Sequence, residues 1–262
     1  MRARIILFIK LVSIVLVFSA GCKQESPIQH TLSSYYNTSS GVSAVTDEHV
    51  IVVRNPLGMI TIFGEGTVDP LVRWYVYKTV QAESEVQAGE LFPTITLTMQ
   101  KSNDTIYVVL SSTMKDNNVF QSTIRLGIPS NMICRVEQVL GTTSISDLDT
   151  SIVVMNSSDV DVKRLRGSCG ISSNEGNISV DIILPVNGKC LINVVKGNIL
   201  LKTPTTTSAS VYLMSKLGTV SVNGLSVTIT EQQSAFISGT LGNGSGEIRA
   251  ETDQGNITLQ SL

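Results

Sequence analysis

Histidine and tryptophan are nearly missing from this chain of 262 residues, which has two of the first and one of the second. His30 and His49 are therefore the only candidate imidazole bases, and neither stands near a recognisable serine or cysteine nucleophile motif. A G-x-S-x-G elbow, an H-E-x-x-H helix and a phosphate-cradling glycine loop are all absent. No catalytic residue is assigned on these grounds. The four cysteines have neither zinc-site spacing nor a neighbouring histidine, so no metal and no cofactor are expected. Charged residues make up 15% of the chain and form no basic block, which argues against a nucleic-acid partner.

What is present begins with an address. Arg2, Arg4 and Lys10 precede an apolar run from Leu11 to Phe18, and Ser19-Ala20-Gly21 lead to Cys22. Residues 1–21 read as a secretory signal cleaved between Gly21 and Cys22. The arrangement resembles the bacterial lipoprotein signal, although Ser19 stands where that signal usually carries a leucine-like residue. The resemblance implies that Cys22 is lipidated, palmitate included, and becomes the mature N-terminus. Two or more acyl chains anchor a protein stably where one does not. The plainer alternatives are an ordinary cleaved signal, or an uncleaved anchor, with a chance cysteine. Lys23 is not the aspartate associated with inner-membrane retention, so the outer membrane is expected if the source is Gram-negative. Without the signal, 16 of the 19 basic residues remain against all 21 acidic ones, a net charge of −5. The abundance of Ser, Thr, Val, Ile, Gly and Asn then points to an extracytoplasmic all-β protein.

A phrase repeats along the second half. Gly176-Asn177-Ile178-Ser179-Val180 is followed after 21 residues by Gly197-Asn198-Ile199-Leu200-Leu201, and after 21 more by Gly218-Thr219-Val220-Ser221-Val222. Gly255-Asn256-Ile257-Thr258-Leu259 closes the chain, and Gly141 and Ser158 open weaker copies. A period near 20 with a turn glycine and an alternating strand predicts stacked parallel rungs. Strand alternation places Ile178, Ile199 and Val220 in one inward column. Cys134, Cys169 and Cys190 each lie seven residues before a bend glycine, which predicts a second column. These cysteines read either as small buried hydrophobes or, for Cys169 and Cys190, as a disulfide between adjacent rungs.

Residues 22–44 are polar and read as a flexible tether. Strands are expected at Val50–Val53, Met59–Ile62, Leu71–Val80, Thr94–Met99, Thr105–Ser111 and Gln121–Ile128. Gln81–Leu91 is the one helical candidate, stopped by Pro93. Residues 45–262 thus read as one continuous solenoid with an irregular N-terminal part containing one short helix.

The segment Asn55-Pro56-Leu57-Gly58-Met59-Ile60-Thr61-Ile62, the Gly-Asn-Ile rungs and the closing run from Gly239 to Leu259 together resemble a bacterial adhesin-like domain family of unknown function. That family is related to the head GIN domain of proteins named as auto-transporter adhesins. The resemblance covers about residues 45–262 and implies a right-handed, single-stranded parallel β-solenoid with an envelope-associated role. Asp147, Asp149, Asp159 and Asp161 could stack into a calcium-binding or glycan-cleaving acidic patch, against the reading of solvated outward carboxylates without basic companions. The Gly242–Gly246 run reads as a closing turn rather than an anion cradle. Trp74, Tyr75 and Tyr77 offer either core packing or a sugar-stacking platform. The expected function is a non-enzymatic, lipid-anchored envelope protein presenting its solenoid surface for adhesion, to a protein or glycan partner. The alternatives are a polysaccharide-active β-helix enzyme and an envelope-stress accessory protein.

Overall fold

Each bend glycine joins two short strands, and these pairs stack as rungs. The computed structural model describes residues 32–66, 70–113, 120–156 and 158–262. The signal, Gly21, Cys22 and His30 lie outside them. The strand before each bend enters an upstream sheet, and the strand after it enters a downstream sheet. In stacking order the rungs are β5/β6 (Thr105–Ser112, Phe120–Ile128), β2 (Val50–Gly64, bent at Gly58), β7/β8 (Ile133–Leu140, Thr143–Ser146) and β9/β10 (Ile152–Asn156, Val160–Leu165). Then follow β11/β12 (Cys169–Glu175, Ile178–Ile182), β13/β14 (Lys189–Lys196, Ile199–Thr203), β19/β20 (Gly246–Gln254, Ile257–Ser261) and β15/β16 (Ala209–Leu217, Val220–Asn223). All these pairings are parallel, so the all-β solenoid expectation holds.

The stacking order departs from chain order at both ends, which corrects the expectation that successive rungs stack in the order of the chain. β2 slots between β5/β6 and β7/β8, and β19/β20 slots between β13/β14 and β15/β16. The cause at the C-terminal end is the hairpin β17 (Val227–Gln233) and β18 (Phe236–Leu241). β18 returns antiparallel along the outer edge of β15, so the only edge left for β19 is the inner one. The Gly242–Gly246 turn crosses between them around Ser208, whose Oγ accepts from Asn243 N at 3.0 Å and Ser245 N at 3.3 Å. Its amides are therefore committed to closing the turn, as the closing-turn reading required. The inward column consequently runs Ile178, Ile199, Ile257, Val220, not Ile199 directly to Val220.

Inside, the alternation works as expected. Cys134, Ile152, Cys169, Cys190, Ile248 and Val211 form one buried upstream column. Such apolar columns drive folding, since each buried aliphatic side chain contributes about 1.5–3 kcal/mol. At the bends the glycines are obligatory. A Cβ on Gly197, at φ +152°, would stand 1.9 Å from the Gly176 carbonyl oxygen.

The asparagine of the Gly-Asn-Ile phrase has its own reason. Asn198 N donates to Asn177 Oδ1 at 3.1 Å, Asn256 N to Asn198 Oδ1 at 2.9 Å, and Thr219 N to Asn256 Oδ1 at 2.9 Å. Asp159 Oδ1 ends the ladder by accepting from Asn177 N at 2.7 Å. Side chains at the bend thus satisfy the backbone donors that the turn removes from the sheets. The weak Gly141 copy is explained too. Thr143 sits buried where other rungs place Ile or Val, and its hydroxyl donates to Gln138 Oε1 at 2.7 Å.

The tether expectation needs correcting from Ser33 onward. Ser33–Ala44 is strand β1, paired antiparallel along all of β3 (Leu71–Ala82). It is uncharged and mostly exposed, so backbone hydrogen bonds hold it rather than apolar burial. Helix α1 runs Glu85–Leu91, later than expected, because Gln81 and Ala82 continue β3 and Ser84 accepts from Gln87 N as the N-cap. Strand β4 (Ile95–Ser102) pairs antiparallel with β5.

Candidate binding surfaces

With inward positions filled, chemistry is left to the outward ones, and the two sheets differ there. Outward residues of the downstream sheet are mainly short and polar: Thr61, Ser144, Asp161 and Ser179 face solvent in one register row. The four aspartates singled out in the sequence sit in and beside this sheet, and each has a partner. Arg164 donates to Asp147 through Nε at 2.5 Å and Nη2 at 2.6 Å, and Arg166 reaches Asp149 at 3.2 Å. Lys163 pairs with Asp161 at 2.8 Å, while Asp159 ends the asparagine ladder. The Arg164 hydrogen bonds hold the Asp147 carboxyl below its ordinary range. The expectation that these carboxylates lack basic companions is overturned, because 17 residues of one rung bring Asp147 and Arg164 together. Among the described residues no cluster of His, Cys, Asp and Glu is suited to a metal ion.

The upstream sheet presents a groove instead. Its first part, about 730 Å³, is lined by Arg54, Leu110, Glu137, Val139, Met155 and Ser172 among others. A second hollow of about 540 Å³ shares Met155 and Ser172 and extends over Val153, Gly170, Leu191 and Arg249. Val153, Gly170 and Leu191 are register neighbours on successive strands. A Cβ on Gly170 would meet no atom within 4 Å, so the backbone does not require glycine there. Its effect is a bare floor between Val153 and Leu191, with Met155 48% exposed alongside.

Each end of the groove carries the same device. At one, Arg54 Nε donates to Glu137 Oε2 at 2.6 Å, with the guanidinium 5.9 Å from the Tyr107 ring centre. At the other, Arg249 Nε donates to Glu251 Oε1 at 2.5 Å, and its guanidinium lies 4.7 Å from the Tyr212 ring centre. The Glu137 hydrogen bond pushes the Arg54 pKa up, so this charge is fixed at any physiological pH. Nothing in the sequence marked these residues, which are scattered from Arg54 to Glu251; rung stacking brings Arg54 beside Glu137 and Arg249 beside Tyr212.

The remaining candidates fall elsewhere. Cys169 and Cys190 are register partners with free thiols, their Sγ atoms 3.1 Å apart. Their hydrogen bond and then burial raise the Cys190 pKa well above its ordinary value, while burial pushes Cys134 up to about 12. Such thiols are poor nucleophiles. His49 is exposed and lines a pocket of about 200 Å³ with Glu48, Pro70 and Asn131. Trp74 faces inward, whereas Tyr75 and Tyr77 face out at 52% and 46% exposure. Among the described residues no helix is long and apolar enough to cross a membrane.

Several solved structures match this chain over most of its length. One is a putative cell adhesion protein from Clostridium sporogenes ATCC 15579, with 10% identity and a TM-score of 0.46, covering 87% of this chain and all of that one. Another is a putative adhesin from Bacteroides fragilis NCTC 9343, with 10% identity and a TM-score of 0.39 over 86% of this chain and 97% of that one. A putative lipid binding protein from Parabacteroides distasonis ATCC 8503 has 12% identity and a TM-score of 0.31, again over 86% and 97%. No curated protein matches the sequence. Residues 140–260, from the β7–β8 bend through β20, match the family described as Toastrack DUF4097.

Proposed function

We propose that this is a non-enzymatic envelope protein that engages a protein partner through the upstream groove. The observation that carries this reading is the exposed apolar row Val153, Met155 and Leu191 around the bare Gly170 floor. Solvent-facing strands of a monomer gain nothing from such a row, and apolar patches rimmed by charge are features of interaction sites. Apolar side chains of the partner would fill the hollow, and the Arg54–Glu137 and Arg249–Glu251 pairs would fix orientation at the rim. The test is binding of the labelled full chain to intact cells and to purified envelope and matrix proteins. Gly170→Trp fills the hollow without a backbone clash, so it should abolish retention while leaving the fold intact. Equal retention of wild type and Gly170→Trp would sink the groove as the site.

On the same reading, residues 1–21 export the chain and lipidation at Cys22 holds it at the envelope, with the solenoid outside the cytoplasm. Cys22→Ser should release the protein into the medium and abolish labelling by an alkyne palmitate analogue. Export also bears on the thiol pair. Parallel neighbours lie about 4.8 Å apart, within reach of a disulfide, so Cys169 and Cys190 would be joined by an envelope disulfide oxidant. Their burial means that the bond would form during folding. Alkylation under non-reducing, denaturing conditions would then modify neither residue; modification of both would show that the pair stays reduced.

A further inference from the structure

A second surface lies on the downstream sheet, near its N-terminal edge. β3 pairs antiparallel with β6, which sets Tyr75 opposite Arg125, Tyr77 opposite Thr123 and Arg73 opposite Gly127. On the other side of β6, Gly127 faces Phe63 of β2. All of these but Thr123, with Glu65, surround an open cavity of about 420 Å³. Gly127 leaves room for the Glu65 side chain, since an added Cβ would come 2.1 Å from Glu65 Oε1.

The chemistry of the lining is specific. Tyr75 and Tyr77 present rigid amphipathic rings to solvent, although their strand already buries Val72, Val76 and Val80 on its other face. The Arg125 guanidinium stands 5.2 Å from the Phe63 ring centre, and no carboxylate pairs with it among the described residues. Arg73 donates to Glu65, which leaves the Arg125 guanidinium as the cation offered to a ligand in the cavity. Ring faces suit the apolar faces of a pyranose, the Glu65 carboxylate can accept from its hydroxyls, and the Arg125 fork matches a carboxylate.

We propose that Tyr75, Tyr77 and Arg125 bind a carboxylate-bearing saccharide, with Glu65 accepting from its hydroxyls. This site goes beyond the upstream groove and does not depend on it. The experiment is a glycan array carrying uronate-terminated and sialate-terminated oligosaccharides beside their neutral counterparts, probed with the full chain in detergent. Wild type should retain at least one acidic class and discriminate against its neutral counterpart. Which class is retained distinguishes a uronate from a sialate source. Arg125→Gln should lower retention of the acidic glycan at least tenfold, and Tyr77→Ser together with Tyr75→Ser should remove it, with thermal melting of the variants as the folding check. Gly170→Trp should leave retention unchanged, which separates this site from the groove. Absence of any acidic glycan on wild type, or Arg125→Gln retention equal to wild type, overturns the proposal.

Discussion

The two sheets of this solenoid share one inner logic and differ outside. Both bury columns of mainly apolar side chains, and the bends between them use glycines where a Cβ has no room. Outside, the downstream sheet is largely polar, with Asp147 and Asp161 tied to cations one rung or two residues away. The upstream sheet leaves Val153, Met155 and Leu191 exposed over a bare Gly170. The inner faces are what stacking demands. The outer faces are free of that demand, so the proposed binding surfaces are to be tested there.

Equality of the inner faces is tested by the largest effects. Ile192→Ala upstream and Ile199→Ala downstream should each cost about 2–5 kcal/mol in urea unfolding, since both residues are at most 2% exposed. A cost confined to one sheet would break the comparison. At the bend between them, Gly197→Ala should cost about 1–3 kcal/mol through backbone strain alone, more if the Gly176 carbonyl cannot yield. Asn198→Ala, which takes the acceptor from the exposed Asn256 amide, should cost about 0.5–1.5 kcal/mol, since water can take its place.

Acid provides a further test near the N-terminal end of the stack. The Thr46 amide, 2.7 Å from Glu48 Oε2, and Lys101, 2.9 Å from Oε1, hold Glu48 down to about 2. A carboxyl depressed on folding stabilises the protein above its unfolded pKa, and that contribution is lost as pH falls through the folded one. Stability should therefore decline from about pH 5 towards pH 2. Glu48→Gln should flatten this limb by lowering stability at neutral pH; an unchanged pH profile would contradict the assignment. Exposed pairs should matter least. Arg164→Ala is expected to cost under about 1 kcal/mol despite two short hydrogen bonds, because solvent competes for both groups.

The rungs were legible where a residue's role is set by local pattern. The 21-residue spacing placed Ile178 over Ile199, and the seven-residue offset placed Cys134 and Cys169 in one column, with Ile152 between them. The pattern failed where pairing depends on distant chain. Gly218 follows Gly197 at the same spacing as any rung, yet β18 takes the outer edge of β15 and admits β19 to the inner one. β1 was read as tether because Ser, Thr and Asn give no apolar signal, although a strand can be held by its backbone alone. The groove was invisible for a related reason: Val153, Gly170 and Leu191 look like ordinary strand residues until register stacks them. Asp147 and Arg164, a rung apart, were missed in the same way.

The contrast between the outer faces reduces to one substitution. Gly170→Trp should leave the melting temperature and the circular dichroism spectrum of the full chain unchanged, because the position opens on empty space, while retention on cell surfaces is lost. Retention equal to wild type, with the tryptophan in place and the fold intact, would show that the upstream groove is not where this protein binds.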